Sequence, residues 1–158
     1  MQQILLVLGS MILLSLLTIS VNNLIINHTI ETYESESIIA KTSLAQAMLQ
    51  EISLKEFDDK TIGATVDTAS SLTPVAQLGK EAGETYSTFD DMDDYKDFTR
   101  LDTLVNGVFR STVDVYYVTQ SNLTTASVSP TFYKMISVTV NDLNNSSTPM
   151  TLSNIISY

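Results

Sequence analysis

The chain has no cysteine, a single histidine, 3 prolines and 5 glycines in 158 residues. Without cysteine there is no disulfide framework, no thiolate nucleophile and no Cys-ligated zinc or iron–sulfur site. Basic residues are also scarce, 8 against 18 acidic ones, which leaves a formal charge of -10. That balance argues against sequence-independent nucleic-acid binding, where Lys and Arg must neutralise phosphates. The scarcest feature is local. From Met1 to Ile30 there is no Asp, Glu, Lys or Arg, so every charged side chain lies beyond Ile30. The mean hydropathy of +0.13 therefore averages two unlike pieces.

What is there begins with ILLVLGSMILLSLLTISV, Ile4 to Val21, apolar on every side of a helix. A helix of about 20 such residues rises ~30 Å and crosses the hydrocarbon core of a bilayer. Ser10, Ser15, Thr18 and Ser20 are tolerable there because a hydroxyl bonds back to a carbonyl one turn earlier. A cleaved signal peptide fits less well, because Met1-Gln2-Gln3 carries no basic flank and no small-x-small cleavage site follows. A leader removed ahead of Met1 would account for that missing flank.

No Pro or Gly occurs between Ser10 and Ile62. Past a polar band at Asn22, Asn23, Asn27, His28 and Thr29, the residues Ile38, Leu44, Ala45, Met48, Leu49, Ile52 and Phe57 recur at helical spacing. Ser43, Gln46, Gln50 and Ser53 take the opposite face. The pattern predicts one helix from about Gln3 to Leu54, ~75 Å long, most prone to loosen at the polar band. Lone His28 has neither a second histidine nor a cysteine to join it, and reads as a solvated or interface side chain.

Residues 58–107 read as an irregular, Ser/Thr/Gly-rich region. From Val108 the period becomes two. Phe109, Val113, Val115 and Tyr117 share one side of the first run; Phe132, Ile136, Val138 and Val140 share one side of the second; Met150, Leu152, Ile156 and Tyr158 share one side of the third. Three half-buried strands joined by turn-rich loops predict an antiparallel meander, with the amphipathic half of the helix as its cover. The expected class is thus α+β, a long N-terminal helix on a small antiparallel sheet. Its organisation is an apolar membrane or filament-core helix over 1–30, an amphipathic continuation over 31–57, the variable loop region over 58–107 and the β-meander over 108–158. Asn27, Asn122, Asn144 and Asn145 each begin an N-glycosylation acceptor pattern.

Two groups of residues are candidates for function. Asp90, Asp91, Asp93, Asp94 and Asp97 fall within eight residues, downstream of Glu81 and Glu84. Closely spaced carboxylates in a loop can supply the several hard oxygens that calcium requires, although the central glycine and terminal glutamate of an EF-hand are missing. The alternative is a solvated loop in which Asp caps a short turn. Ile4, Leu5, Leu8, Ile12, Leu16 and Ile19, on the uncharged apolar helix, are the second group. No Ser–His pair, metal-ligand constellation or carboxylate cleft appears, so no catalytic residue is expected and the chain does not read as an enzyme.

The layout resembles the type IV pilins and the pseudopilins of type II secretion, and local strings strengthen the likeness. SLAQAMLQEISLKEFD (Ser43–Asp58) is similar to the helix-end segment of those proteins; TFDDMDDYKDF (Thr88–Phe98) resembles their acidic stretch; YKMISVTVND followed by PMTLSNIISY resembles their last two strands. Leu5 and Asn22 stand where members typically carry a glutamate and a proline. The resemblance implies a structural subunit of an extracellular filament or fimbrium, a homopolymer held in the inner membrane before assembly, with Ile4, Leu5, Leu8, Ile12, Leu16 and Ile19 as the interface between subunits. Its partners would be copies of itself, the membrane, and the pilus or secretion assembly machinery, with no nucleic acid. It also implies calcium in a comparable loop, as in some pseudopilins. The rival expectation is a single-pass anchored exodomain, or a minor pseudopilin, that binds a partner without forming a long filament.

Overall fold

A computed structural model describes residues 2–144 and 148–158. The acceptor pattern beginning at Asn145, and the expectation of a leader ahead of Met1, lie outside those residues. The fold is α+β: a long N-terminal helix, α1 (Gln2–Ser53), and a four-stranded antiparallel sheet. The chain divides into two compact units, Met1–Ser37 and Ile38–Tyr158, with the boundary inside α1.

In the first unit the helix runs without a break through the polar band, as the lack of Pro and Gly there dictates. Every described residue from Gln2 to Glu36 is exposed. The hydroxyls behave as expected of an apolar helix. Ser15 Oγ donates to the Met11 carbonyl at 2.9 Å, Thr18 Oγ1 to Leu14 at 2.9 Å and Thr29 Oγ1 to Ile25 at 2.9 Å. These three hydroxyls are satisfied within the helix and so do not oppose an apolar environment. By length and composition this is one helix able to cross a membrane.

In the second unit, Ala45, Met48 and Ile52 of α1 are fully buried in the core, while Ser43, Gln46 and Gln50 are exposed. Ile38, assigned to the core face by its spacing, is instead exposed. The sheet contains β1 (Thr99–Leu104), β2 (Gly107–Tyr117), β3 (Tyr133–Asp142) and β4 (Met150–Ser157) in sequential order. Four strands therefore stand where the alternation predicted three. The additional one, β1, lies in the stretch read as irregular and pairs with β2 from Thr99↔Thr112 to Leu104↔Gly107. Its pattern hides it, because Leu101 and Leu104 are exposed while Arg100 and Asp102 are half-buried.

The inner face of β2 and β3 follows the alternation, with Phe109, Val113, Val115, Tyr117, Ile136, Val138 and Val140 all inaccessible to solvent. Around 58–98 the chain makes short 3-10 turns rather than regular elements. Tyr86, Phe89, Tyr95 and Phe98 tie that region down as an aromatic cluster, Tyr86 stacking on Phe98 at 5.0 Å and Phe89 meeting Tyr95 edge-on at 5.0 Å. Tyr95 and Tyr86 also donate their hydroxyls to the two carboxylate oxygens of Glu51 on α1, at 2.7 and 2.8 Å.

Candidate functional site: a buried lysine and two groups of carboxylates

The period-two register of β3 places Lys134 on the same face as Phe132 and Ile136, and the structure buries it completely. A buried ammonium must find partners for all three of its protons. Lys134 Nζ donates to the Phe57 carbonyl at 2.5 Å, to Asp93 Oδ1 at 2.5 Å and to Asp58 Oδ2 at 3.1 Å. It also lies 4.7 Å from the centroid of Phe57 and 5.1 Å from that of Tyr117, whose ring faces favour a cation.

The two carboxylates reach this lysine from different elements. Asp58 follows the end of α1 and caps the 3-10 turn Asp59–Thr61, accepting the Lys60 N–H at 3.1 Å. It also accepts the Thr73 backbone N–H at 3.1 Å, the Thr73 hydroxyl at 2.8 Å and the Tyr117 hydroxyl at 2.6 Å. Burial works against its ionisation, but the Tyr117 hydrogen bond, the charge of Lys134 and the Thr73 and Lys60 donors outweigh burial and hold its carboxyl below the usual value. Burial and the neighbouring charge push the Tyr117 phenol up, so it stays a donor.

Asp93 opens the 3-10 turn Asp93–Tyr95 and is 1% exposed. Burial raises its carboxyl above the ordinary range, with Lys134 opposing. Its second oxygen, Oδ2, meets no donor among the described residues, and the same holds for Asp91 Oδ2 and Asp94 Oδ1. Asp91 is pushed up to about 8, first by burial and then by the charge of Asp93.

Of the five aspartates expected to bind calcium together, the structure buries Asp91, Asp93 and Asp94 and exposes Asp90 and Asp97. Several have local duties. Asp91 Oδ1 accepts the Asp93 and Asp94 N–H groups at 2.8 and 3.1 Å, and Asp94 Oδ2 accepts the Asp90 and Asp91 N–H groups at 3.0 and 3.3 Å. Asp97 has a φ of 59°, the left-handed conformation that aspartate tolerates better than most residues, and turns the chain into β1. Asp93 faces Lys134. Asp94 alone joins a second group: among the described residues, Glu81, Glu84 and Asp94 bring carboxylate oxygens within 4.8 Å of one another, so these three could hold a cation. Glu81, though exposed, is pushed up to about 8 by desolvation and by hydrogen bonds shared with Glu84 and Asp94.

The remaining expected residues are separate from these groups. His28 is exposed, its Nδ1 3.7 Å from Glu31 Oε2. Ile4, Leu5, Leu8, Ile12, Leu16 and Ile19 are exposed along the apolar helix. Sequence reasoning missed Lys134 and Asp58 altogether. The signal was present in β3, where a lysine occupies an inward register between Phe132 and Ile136. Compared with protein-family models, curated proteins and solved structures, the chain matches none of them.

Proposed function

We propose that this chain is a structural subunit of an extracellular type IV pilus-like filament, polymerising through its N-terminal apolar helix. The observation that carries the reading is the uncovered apolar surface of α1: an 18-residue window of mean hydropathy 2.6 with none of it buried. A contiguous apolar surface of that size marks contact with lipid or with other protein. Ile4, Leu5, Leu8, Ile12, Leu16 and Ile19, between 51% and 68% exposed, would form the interface between copies.

The energetics favour a two-step life for such a helix. Moving it from lipid into a bundle of its own copies exchanges one apolar medium for another and releases little hydrophobic energy. Close packing must hold the bundle, and Gly9, Ser10, Ser15 and Ser20 permit close approach. Once the bundle is in water, each CH₂ re-exposed costs roughly 0.8 kcal/mol, so a subunit is retained. On this reading the membrane holds the subunit first, and assembly machinery then delivers it to the cell surface.

The second reading, a single-pass anchored exodomain or minor pseudopilin, uses the same helix as an anchor alone. Negative-stain microscopy of material sheared from cells expressing the full chain separates the two. The filament reading expects fibres containing this chain. Protein that stays in the membrane fraction, and is monomeric once solubilised in detergent, would overturn it.

A further inference from the structure

The geometry points to a covalent cross-link inside the head: an amide joining Lys134 Nζ to the side-chain carbonyl carbon of Asp93, formed by the protein itself with Asp58 as the proton-transferring group. The reacting groups are already in contact, Nζ lying 2.5 Å from Asp93 Oδ1. Holding a nucleophile against its electrophile in one orientation removes most of the entropic barrier to their reaction. The site is also dry. The side chains of Lys134 and Asp58 are inaccessible to solvent and that of Asp93 is 1% exposed. The rings of Phe57 and Tyr117 flank the amine. Desolvation suits a lysine to nucleophilic attack, and exclusion of bulk water removes the agent that would reverse the bond.

The two carboxylates differ in a way that assigns their roles. Asp58 is held by the Lys60 and Thr73 N–H groups and by the Thr73 and Tyr117 hydroxyls as well as by the lysine. A carboxylate so stabilised is a poor electrophile and a weak base, suited to relay a proton rather than to keep one. Asp93 accepts from Lys134 on Oδ1, and its Oδ2 meets no donor among the described residues. Oδ1, the oxygen within reach of the Lys134 protons, is the atom that leaves as water, and Oδ2 remains as the amide carbonyl oxygen.

The step balances without any outside reagent. An ammonium and a carboxylate contain the atoms of an amide and one water. Lys134 Nζ gives one proton across its existing hydrogen bond to Asp93 Oδ1, leaving a neutral amine and a neutral acid, and the freed lone pair attacks Asp93 Cγ to form the C–N bond. A second Nζ proton passes by way of Asp58 Oδ2 to the same Asp93 Oδ1, the C–Oδ1 bond breaks, and water departs. Asp58 ends as the carboxylate it began as. The remaining amide N–H keeps an acceptor in Asp58 or the Phe57 carbonyl.

The test is mass spectrometry of the purified full chain in detergent. The expected intact mass is one water below that of the unlinked chain, and proteolysis should release a branched species in which the segment containing Lys134 is joined to the one containing Asp93. Asp93→Ala and Lys134→Arg should each restore the unlinked mass; the arginine variant keeps the charge so that the head still folds, which thermal melting can verify. Asp58→Asn should leave most chains unlinked. A full chain at the unlinked mass, with Lys134 acetylated by reagent after denaturation, would overturn the proposal, as would a water loss mapped to any other pair. Because the readout is a bond within one head, it stands or falls whether or not the chain polymerises.

Discussion

The apolar helix and the head invert the usual rule of burial in opposite directions. From Gln2 to Glu36 large aliphatic side chains are exposed; in the head, Lys134, Asp58, Asp91, Asp93 and Asp94 are buried. Each inversion is costly if nothing compensates it. In the head the compensation is complete around the lysine, which has three acceptors and two ring faces. For the helix no compensation is found among the described residues, and by length and composition it could cross a membrane. The difference teaches where to look for function: around Lys134 the head supplies its own partners, whereas the apolar surface of the helix is left uncovered.

The largest expected effect breaks the head. Lys134→Met removes the amine, whether it is paired with Asp93 as a cation or joined to it, and leaves Asp58 and Asp93 facing each other in a dry interior. Removing one partner of a buried ion pair costs about 3–5 kcal/mol. Denaturant unfolding of the head signal should show that loss as a lower midpoint, while the variant still partitions to membranes. Unchanged stability would mean that the lysine charge is not what holds those carboxylates.

A somewhat smaller effect is expected from breaking the helix. Leu13→Lys places a charge near the middle of the apolar stretch, which costs about 2.5–3.5 kcal/mol on insertion scales. Alkaline extraction of membranes should move the variant to the soluble fraction. The matched change in the head, Leu101→Lys on the exposed face of β1, should leave both extraction and melting unchanged. Equal behaviour of the two variants would erase the distinction between the regions.

The two regions also differed in how openly the sequence declared them. The helix was legible because nothing between Ser10 and Ile62 could stop it, and β2, β3 and β4 because their alternation is regular. Strand β1 was not, since an edge strand that exposes Leu101 and half-buries Arg100 reverses the pattern that betrays a strand. The acidic stretch was visible as composition, but the division of labour within it was not. Asp93 meets a lysine 41 residues away and Asp58 meets the same lysine from 76 residues away, pairings that only the folded chain specifies. Lys134 could have been flagged by register alone: a charge at an inward position demands a partner.

Acid should act on the head and spare the helix. Asp58 has its carboxyl held below the usual value in the folded state, so its contribution is present above the unfolded value, about 3.8, and is lost as pH falls through the folded one. The head should therefore lose stability as the solution is taken below about pH 4. In Asp58→Asn that part of the decline should vanish, leaving a shallower acid limb in a denaturation series. The helix carries no Asp or Glu before Glu31, so its membrane retention should not follow the same curve.

The smallest effect concerns the one group in the head whose charges are not closed internally. Glu81, Glu84 and Asp94 crowd three carboxylates together, and the group contains no lysine or arginine. Calcium takes six to eight oxygens, so three carboxylates supply part of a shell that water would complete. We expect a modest site: calcium should raise the melting temperature of the head by a few degrees, on the order of 1 kcal/mol of linkage at a few times the dissociation constant. Glu84→Gln should abolish the shift, whereas Asp97→Asn, at an exposed turn outside the group, should preserve it. Titration calorimetry without calcium heat, and melting unmoved by calcium or a chelator, would remove the cation from the head. The mutual repulsion of the three acids would then be relieved by the protonation that the raised Glu81 carboxyl already favours.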